Sequence, residues 1–319
     1  MLGEPRAPCK EPMSINSILS VFANNILPII LLSGAGFALA KLLHIDSRSL
    51  GRVVFYVFSP ILIFNLLIKN QLNLKEAAVV IGFTIAIVLT MGLITYLACS
   101  FLKLERSALV AVLVTTMFAN TGNYGLPLVL FAFGEKALSY AGIYFVTTTS
   151  LFFSLGVLIA SLGHLNLKEA ALGLFKIPTL YAVLLAILVN ALHIQIPTPV
   201  ARTVDLAAGG SIPLMLILLG VELSRVELAG NVRAMQISVG LRLLIAPLIS
   251  LLFAALFGLQ SPVREGVVIQ ACMPSIVSSA VLAMEYQLDS KLVTAIIFIS
   301  TLLSPLTLTP MLVLLGAHS

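Results

Sequence analysis

Apolar residues run in long blocks along this chain, separated by short polar or charged stretches. A helix needs about 20 apolar residues to cross a bilayer. Ten blocks meet that length: roughly 23–43, 51–68, 76–102, 107–133 and 137–163, then roughly 174–193, 200–221, 231–258, 263–285 and 290–315. They are numbered here spans 1 to 10. The longest polar connection, 164–176, joins the two halves. The pattern predicts an all-α integral membrane protein of ten transmembrane helices.

Span 4 is interrupted. From Phe118 to Gly134 it reads FANTGNYGLPLVLFAFG. Asn and Gly favour non-helical backbone. Pro127 lacks an N–H and clashes with the preceding turn, yet it suits the first position of a new half-helix. The helix is therefore expected to break here, with Gly122, Gly125 and Pro127 as breakers. Unwound backbone inside a bilayer must face protein or a watered cavity. Asn120, Thr121, Asn123 and Tyr124 are the candidate substrate-binding residues of this break. The plainer alternative is a Pro-kinked structural helix with polar caps.

Span 9 carries a matching stretch, QACMPSIVSSAVLA, in which Pro274 interrupts the helix. Pro274, Ser275 and Ser278 join the candidate site. This break contains no Gly and is expected to be the tighter of the two.

The halves echo each other. Pro60 and Pro213 are 153 residues apart, Arg106 and Arg264 are 158, Lys136 and Lys291 are 155, and Pro28 and Pro178 are 150. Five spans per repeat would turn the second repeat upside down, as in many secondary transporters. The alternative is chance alignment in a sequence of low diversity. Inversion makes spans 4 and 9 antiparallel, so that their breaks cross near mid-membrane. Each second half-helix then offers the positive end of its dipole, which attracts an anion. The domain plan is a tail at 1–12, a first five-helix repeat at 13–163, a cytoplasmic linker at 164–173 and a second repeat at 174–319.

Arg242 lies deep in span 8. A charge at such depth costs roughly 2.5–3.5 kcal/mol on insertion scales. It can neutralise half-helix carbonyl ends, attract a carboxylate substrate or snorkel to the cytoplasmic face beside Arg233. Asp205 is its nearest acidic partner by sequence. In span 1, Gly34-x-x-x-Ala38 and Gly36-x-x-x-Ala40 suit either a dimer interface or packing within the chain.

Composition agrees with the span count. Of 319 residues, 60% are apolar and 10% charged, with mean hydropathy +1.11. A soluble domain is about 45–50% apolar and about 25% charged. The net charge of +5 sits mainly on short connections, with no basic run and no Trp, which excludes nucleic acid as a partner. Connections after even-numbered spans hold five basic residues (Lys69, Lys75, Lys136, Arg202, Arg264) and those after odd-numbered spans hold ten. Positive loops favour the cytoplasm, which places both termini outside the cell membrane. Residues 1–12 are polar and Pro-rich and are expected to be a disordered extension or a start-site artefact before Met13. Cys9, Cys99 and Cys272 give neither a disulfide framework nor metal spacing. No nucleotide loop, metalloprotease helix or nucleophile elbow appears, so no enzyme activity and no cofactor are expected.

At ANTGNYGLPL (119–128), at Met273-Pro274-Ser275 and in the five-plus-five plan, the chain resembles the auxin efflux carrier family. That family includes plant auxin exporters and bacterial malate or malonate permeases. The resemblance covers essentially the whole chain from Met13. It implies a bile-acid-symporter-like fold, with spans 1, 2, 6 and 7 as scaffold, spans 3–5 and 8–10 as a sliding transport domain, and a homodimer. Asn120 would be the substrate-facing asparagine. The chain has no Pro directly after Asn120 and no long central loop, so a small organic acid fits better than auxin. The expected function is a secondary transporter of an organic anion working by an elevator mechanism, with H+ or Na+ as coupling ion. The alternative is a channel or membrane-embedded sensor on the same fold.

Overall fold

The structure is a computed structural model that describes residues 15–70, 73–161, 175–226 and 230–317. The expected tail at 1–12, with Cys9, and the linker at 164–173 lie outside the described residues. Within them the fold is helical, without strands: α1 (Ile15–Leu43), α2 (Ser47–Lys69), α3 (Leu74–Phe101), α4 (Arg106–Met117), α5 (Thr121–Ala160), α6 (Pro178–Ala191), α7 (Thr198–Leu223), α8 (Val232–Leu256), α9 (Val263–Cys272), α10 (Ser279–Glu285) and α11 (Ser290–Leu315).

Seven of these helices are long and apolar enough to cross a membrane, and α4 and α6 are shorter apolar helices. The difference from ten equal spans has local causes. Span 4 stops at Met117, and span 9 divides into α9 and α10 around Pro274. The 40-residue α5 bends sharply at Gly134, whose φ of 76° and ψ of −172° lie in a region only Gly adopts freely. Span 6, expected at 174–193, forms helix only from Pro178 to Ala191.

Proline also shapes the helix interiors. Turns Phe22–Ile26, Val54–Phe58, Thr121–Gly125, Phe152–Gly156 and Leu241–Ile245 are π-helical. Four of the five are followed two residues later by proline: Pro28, Pro60, Pro127 and Pro247. A proline ring collides with the carbonyl four residues back and offers no N–H. Widening the preceding turn to an i→i+5 pattern relieves both problems without ending the helix.

Helix α1 packs along α7, α2 along α6, and α9 along α5. The α1–α7 crossing brings backbone onto backbone. A Cβ on Gly220 would lie 1.8 Å from the Ser33 carbonyl oxygen, and one on Gly36 would lie 2.1 Å from that of Ile217. Gly36 thus packs within the chain, whereas a Cβ on Gly34 would meet nothing within 4 Å. Ser211 Oγ donates to Phe58 O, and Asn190 Nδ2 to Leu67 O, which tie α7 and α6 to α2.

Gly220→Val is expected to destabilise the fold by overpacking, at a cost of about 1–3 kcal/mol. Gly34→Val is expected to change stability by less than about 0.5 kcal/mol. Thermal unfolding of the purified variants checks both; equal stability would contradict the α1–α7 contact.

Candidate functional site

The two interruptions meet. Helix α4 ends at Met117 and Phe118 turns to extended backbone. Helix α9 ends at Cys272, and Met273 is extended as well, because the residue before a proline disfavours helix. Ala119 and Ser275 form an antiparallel bridge. Asn120 N donates to Pro274 O at 2.8 Å, and Ile276 N donates to Phe118 O at 3.1 Å. Each break satisfies backbone groups that the other has freed.

This placement departs from expectation in three ways. The first break falls at Phe118–Asn120, ahead of the glycines, and Thr121–Gly125 winds as a π turn into α5. Gly122 and Gly125 serve close approach instead: a Cβ on Gly122 would lie 2.9 Å from the Phe145 ring, and one on Gly125 would lie 2.1 Å from Gln270 Oε1. Pro127 does open the following α-helix, at its second residue. The span 9 break is the longer one, since residues 273–278 lie outside the helix. Several amides expected to face an anion are already engaged; Ser275 N, for example, donates to Ser300 Oγ.

Arg242 holds the crossing from behind. It is 1% exposed, and its guanidinium donates to three carbonyls: Nε to Met273 O at 2.7 Å, Nη1 to Thr116 O at 3.1 Å and Nη2 to Ala271 O at 2.6 Å. Thr116 lies in the last turn of α4, and Ala271 in that of α9. A helix C-terminus carries unpaired carbonyls and the negative end of the dipole. One planar cation therefore neutralises two such ends. This is the first of the three roles open to Arg242 in the sequence, and it removes snorkelling. Asp205 is not its partner but pairs with Lys69 at 2.7 Å on the surface.

The other candidate residues are divided. Asn120 is 4% exposed and Ser275 is fully buried, and among the described residues neither Asn120 Nδ2 nor Ser275 Oγ has a hydrogen-bond partner. Thr121, Tyr124 and Pro274 are buried beside them. The Tyr124 hydroxyl accepts from Ser304 Oγ on α11, which gives it a packing role. Ser278 is exposed and stands apart from the buried group. Cys272 and Cys99 are buried free thiols.

One residue was absent from the sequence-based site. Asn123 Nδ2 donates to Glu222 Oε2 at 3.3 Å. Glu222 closes α7 and reads in sequence as a loop-edge charge, 99 positions from Asn123. No spacing rule links the two; the only available signal was a lone carboxylate at the end of an apolar span.

Comparison with known proteins follows the same lines. A family model described as "Membrane transport protein" matches residues 21–171 and 162–312. An "Uncharacterized transporter" of Methanothermobacter thermautotrophicus is 33% identical over 269 residues, covering 82% of this chain and 87% of that protein. A second, from Methanocaldococcus jannaschii, is 26% identical over 281 residues, with the same coverage. A Rhizobium meliloti protein named "Putative malonate transporter" is 26% identical over 206 residues, covering 62% of this chain and 64% of its own. These matches bear out the resemblance to the auxin efflux carrier family.

Arg242→Lys keeps the charge but cannot reach three carbonyls with a planar fork. Each lost bond to a charged group costs about 1.5–3 kcal/mol, so the variant is expected to lose about 3 kcal/mol of stability. A melting temperature equal to that of the parent would show that the carbonyls find other partners.

Proposed function

We propose that this chain, which belongs to the membrane transport protein family, carries a small organic anion by alternating access at the α4–α5 and α9–α10 crossing. It is a multi-pass membrane transporter rather than an enzyme. The cargo, the mechanism and the orientation are the proposal.

One observation carries the reading. Two interrupted helices exchange backbone hydrogen bonds at their breaks and hold an amide and a hydroxyl there, buried, with no protein partner. Asn120 Nδ2 and the Ser275 hydroxyl are donors, and a carboxylate is an acceptor with two oxygens and no donor of its own. The positive ends of the second half-helices add to the attraction. The name of the Rhizobium meliloti relative points to the same chemical class.

Ten crossings follow when α4 is joined to the part of α5 before Gly134, the rest of α5 counts separately and α9 is joined to α10. The α1–α7 and α2–α6 pairings support two inverted repeats, because inversion exchanges spans 1 and 6 and spans 2 and 7. On this reading α1, α2, α6 and α7 form a fixed scaffold and a homodimer contact, while the crossing rides on an elevator past them. Both termini lie outside the plasma membrane.

Asn120→Ala is expected to cut malonate uptake into proteoliposomes at least tenfold, with expression and melting temperature close to those of the parent. Unchanged uptake would remove Asn120 from the site. Saturable uptake with counterflow is expected; a conductance that does not saturate would make the protein a channel.

A further inference from the structure

The carboxyl of Glu222 stands at the contact between α7 and the π turn of the first break. Its one described side-chain partner is the Asn123 amide. The ion pairs among the described residues are Lys69–Asp205, Arg225–Asp46 and Arg264–Glu265, so no cation sits within 4.0 Å of Glu222. The helices packed on α7 bring few candidates. Lys41 and His44 lie at the end of α1, where they line a cavity with Ser224 and Arg225. Arg48 and Arg52 open α2, and Lys69 at its far end is taken by Asp205. From α5 come Tyr124, bonded to Ser304, and Glu135 and Lys136 near the Gly134 bend. The nearby loop carboxylate Asp46 shows the contrast: the Ser49 hydroxyl, then the Arg48 and Ser49 amides, hold it below the usual carboxylate range. Glu222 has no such set of donors.

The location matters as much as the chemistry. The Gly220 contact, two residues away, locks α7 onto α1 backbone to backbone. Asn123 belongs to the turn that follows Asn120. Glu222 therefore presents a negative charge from one packed unit to the anion site of another.

We infer that Glu222 is a proton-binding site that couples anion movement to proton movement, taking up a proton when the anion occupies the Asn120 site. The inference rests on the anion reading above and names its coupling ion. Two negative charges separated by one helical turn in a low-dielectric interior repel strongly. A proton on Glu222 removes that repulsion, and the Asn123 amide can still donate to the neutral carboxyl's carbonyl oxygen. When the anion leaves, the carboxylate regains its charge and releases the proton on that side. Proton and anion thus cross together.

The test uses the full chain in proteoliposomes with radiolabelled malonate outside and a pH-sensitive dye inside. For the parent, an acid-outside gradient is expected to raise initial uptake at least fivefold, and malonate entry is expected to acidify the lumen. Glu222→Gln keeps the shape and an acceptor for Asn123. It is expected to leave measurable exchange whose rate the gradient alters less than twofold, with no luminal acidification. Should that variant fail to fold, Glu222→Asp keeps the acid on a shorter arm and is expected to retain acidification with a shifted pH profile; an unshifted profile would overturn the inference. Gradient-driven accumulation by Glu222→Gln would overturn it too. Parental malonate exchange without proton movement sinks the role of Glu222 alone. A parent that moves no malonate sinks the anion reading and takes this inference with it.

Discussion

A backbone that leaves its helix inside lipid has nowhere to put its carbonyls, and Arg242 is the answer this chain has found. Three carbonyl oxygens from two separate helix ends converge on one guanidinium. The flat fork suits that arrangement, and the partial negative charges at the helix ends offset much of the cost of burying a cation. The other side of the crossing is held by two exchanged amide bonds. Between these two sets of bonds the geometry of Asn120 and Ser275 is over-determined. A substrate site needs that rigidity, since donors must be fixed before the cargo arrives.

The same logic explains why the surrounding polar side chains are so few and so specifically engaged. Thr115 and Thr116 share the Ser238 hydroxyl, which joins α4 to α8. Phe118 stacks edge-on against Phe152 at 5.3 Å and seals the break from the α5 side. Polar atoms without partners cluster where the breaks meet, as on Asn120, Ser275 and Gln270. Unpaired buried groups are costly elsewhere in a fold, so their concentration here marks the place where the protein trades stability for recognition.

Much of this was legible in the sequence because the signals are local. Pro127, Pro274 and the Asn-Gly run disrupt helices wherever they occur, and their matched positions in the two halves foretold the meeting of the breaks. Arg242 was legible as an anomaly but not as a solution, since its partners lie 29 to 126 positions away. The exact site of the first break was missed because Gly and Asn tolerate a π turn as readily as extended backbone. The longer second break was missed because Pro274 acts on the residue before it as well as on itself. Glu222 was out of reach: only the packed fold brings the end of α7 to the turn after Asn120.

The proline-linked π turns carry a consequence for how the spans present their faces. A π turn inserts one residue relative to an α-helix, and each residue advances the wheel by about 100°. The stripe that faces protein above such a turn is therefore out of phase with the stripe below it. A helix of this kind can offer one neighbour at its cytoplasmic half and a different one at its outer half without bending its axis. Loss of a single residue within Leu241–Ile245 would bring the two halves back into register and swing Arg242 away from its carbonyls, although composition and length would hardly change.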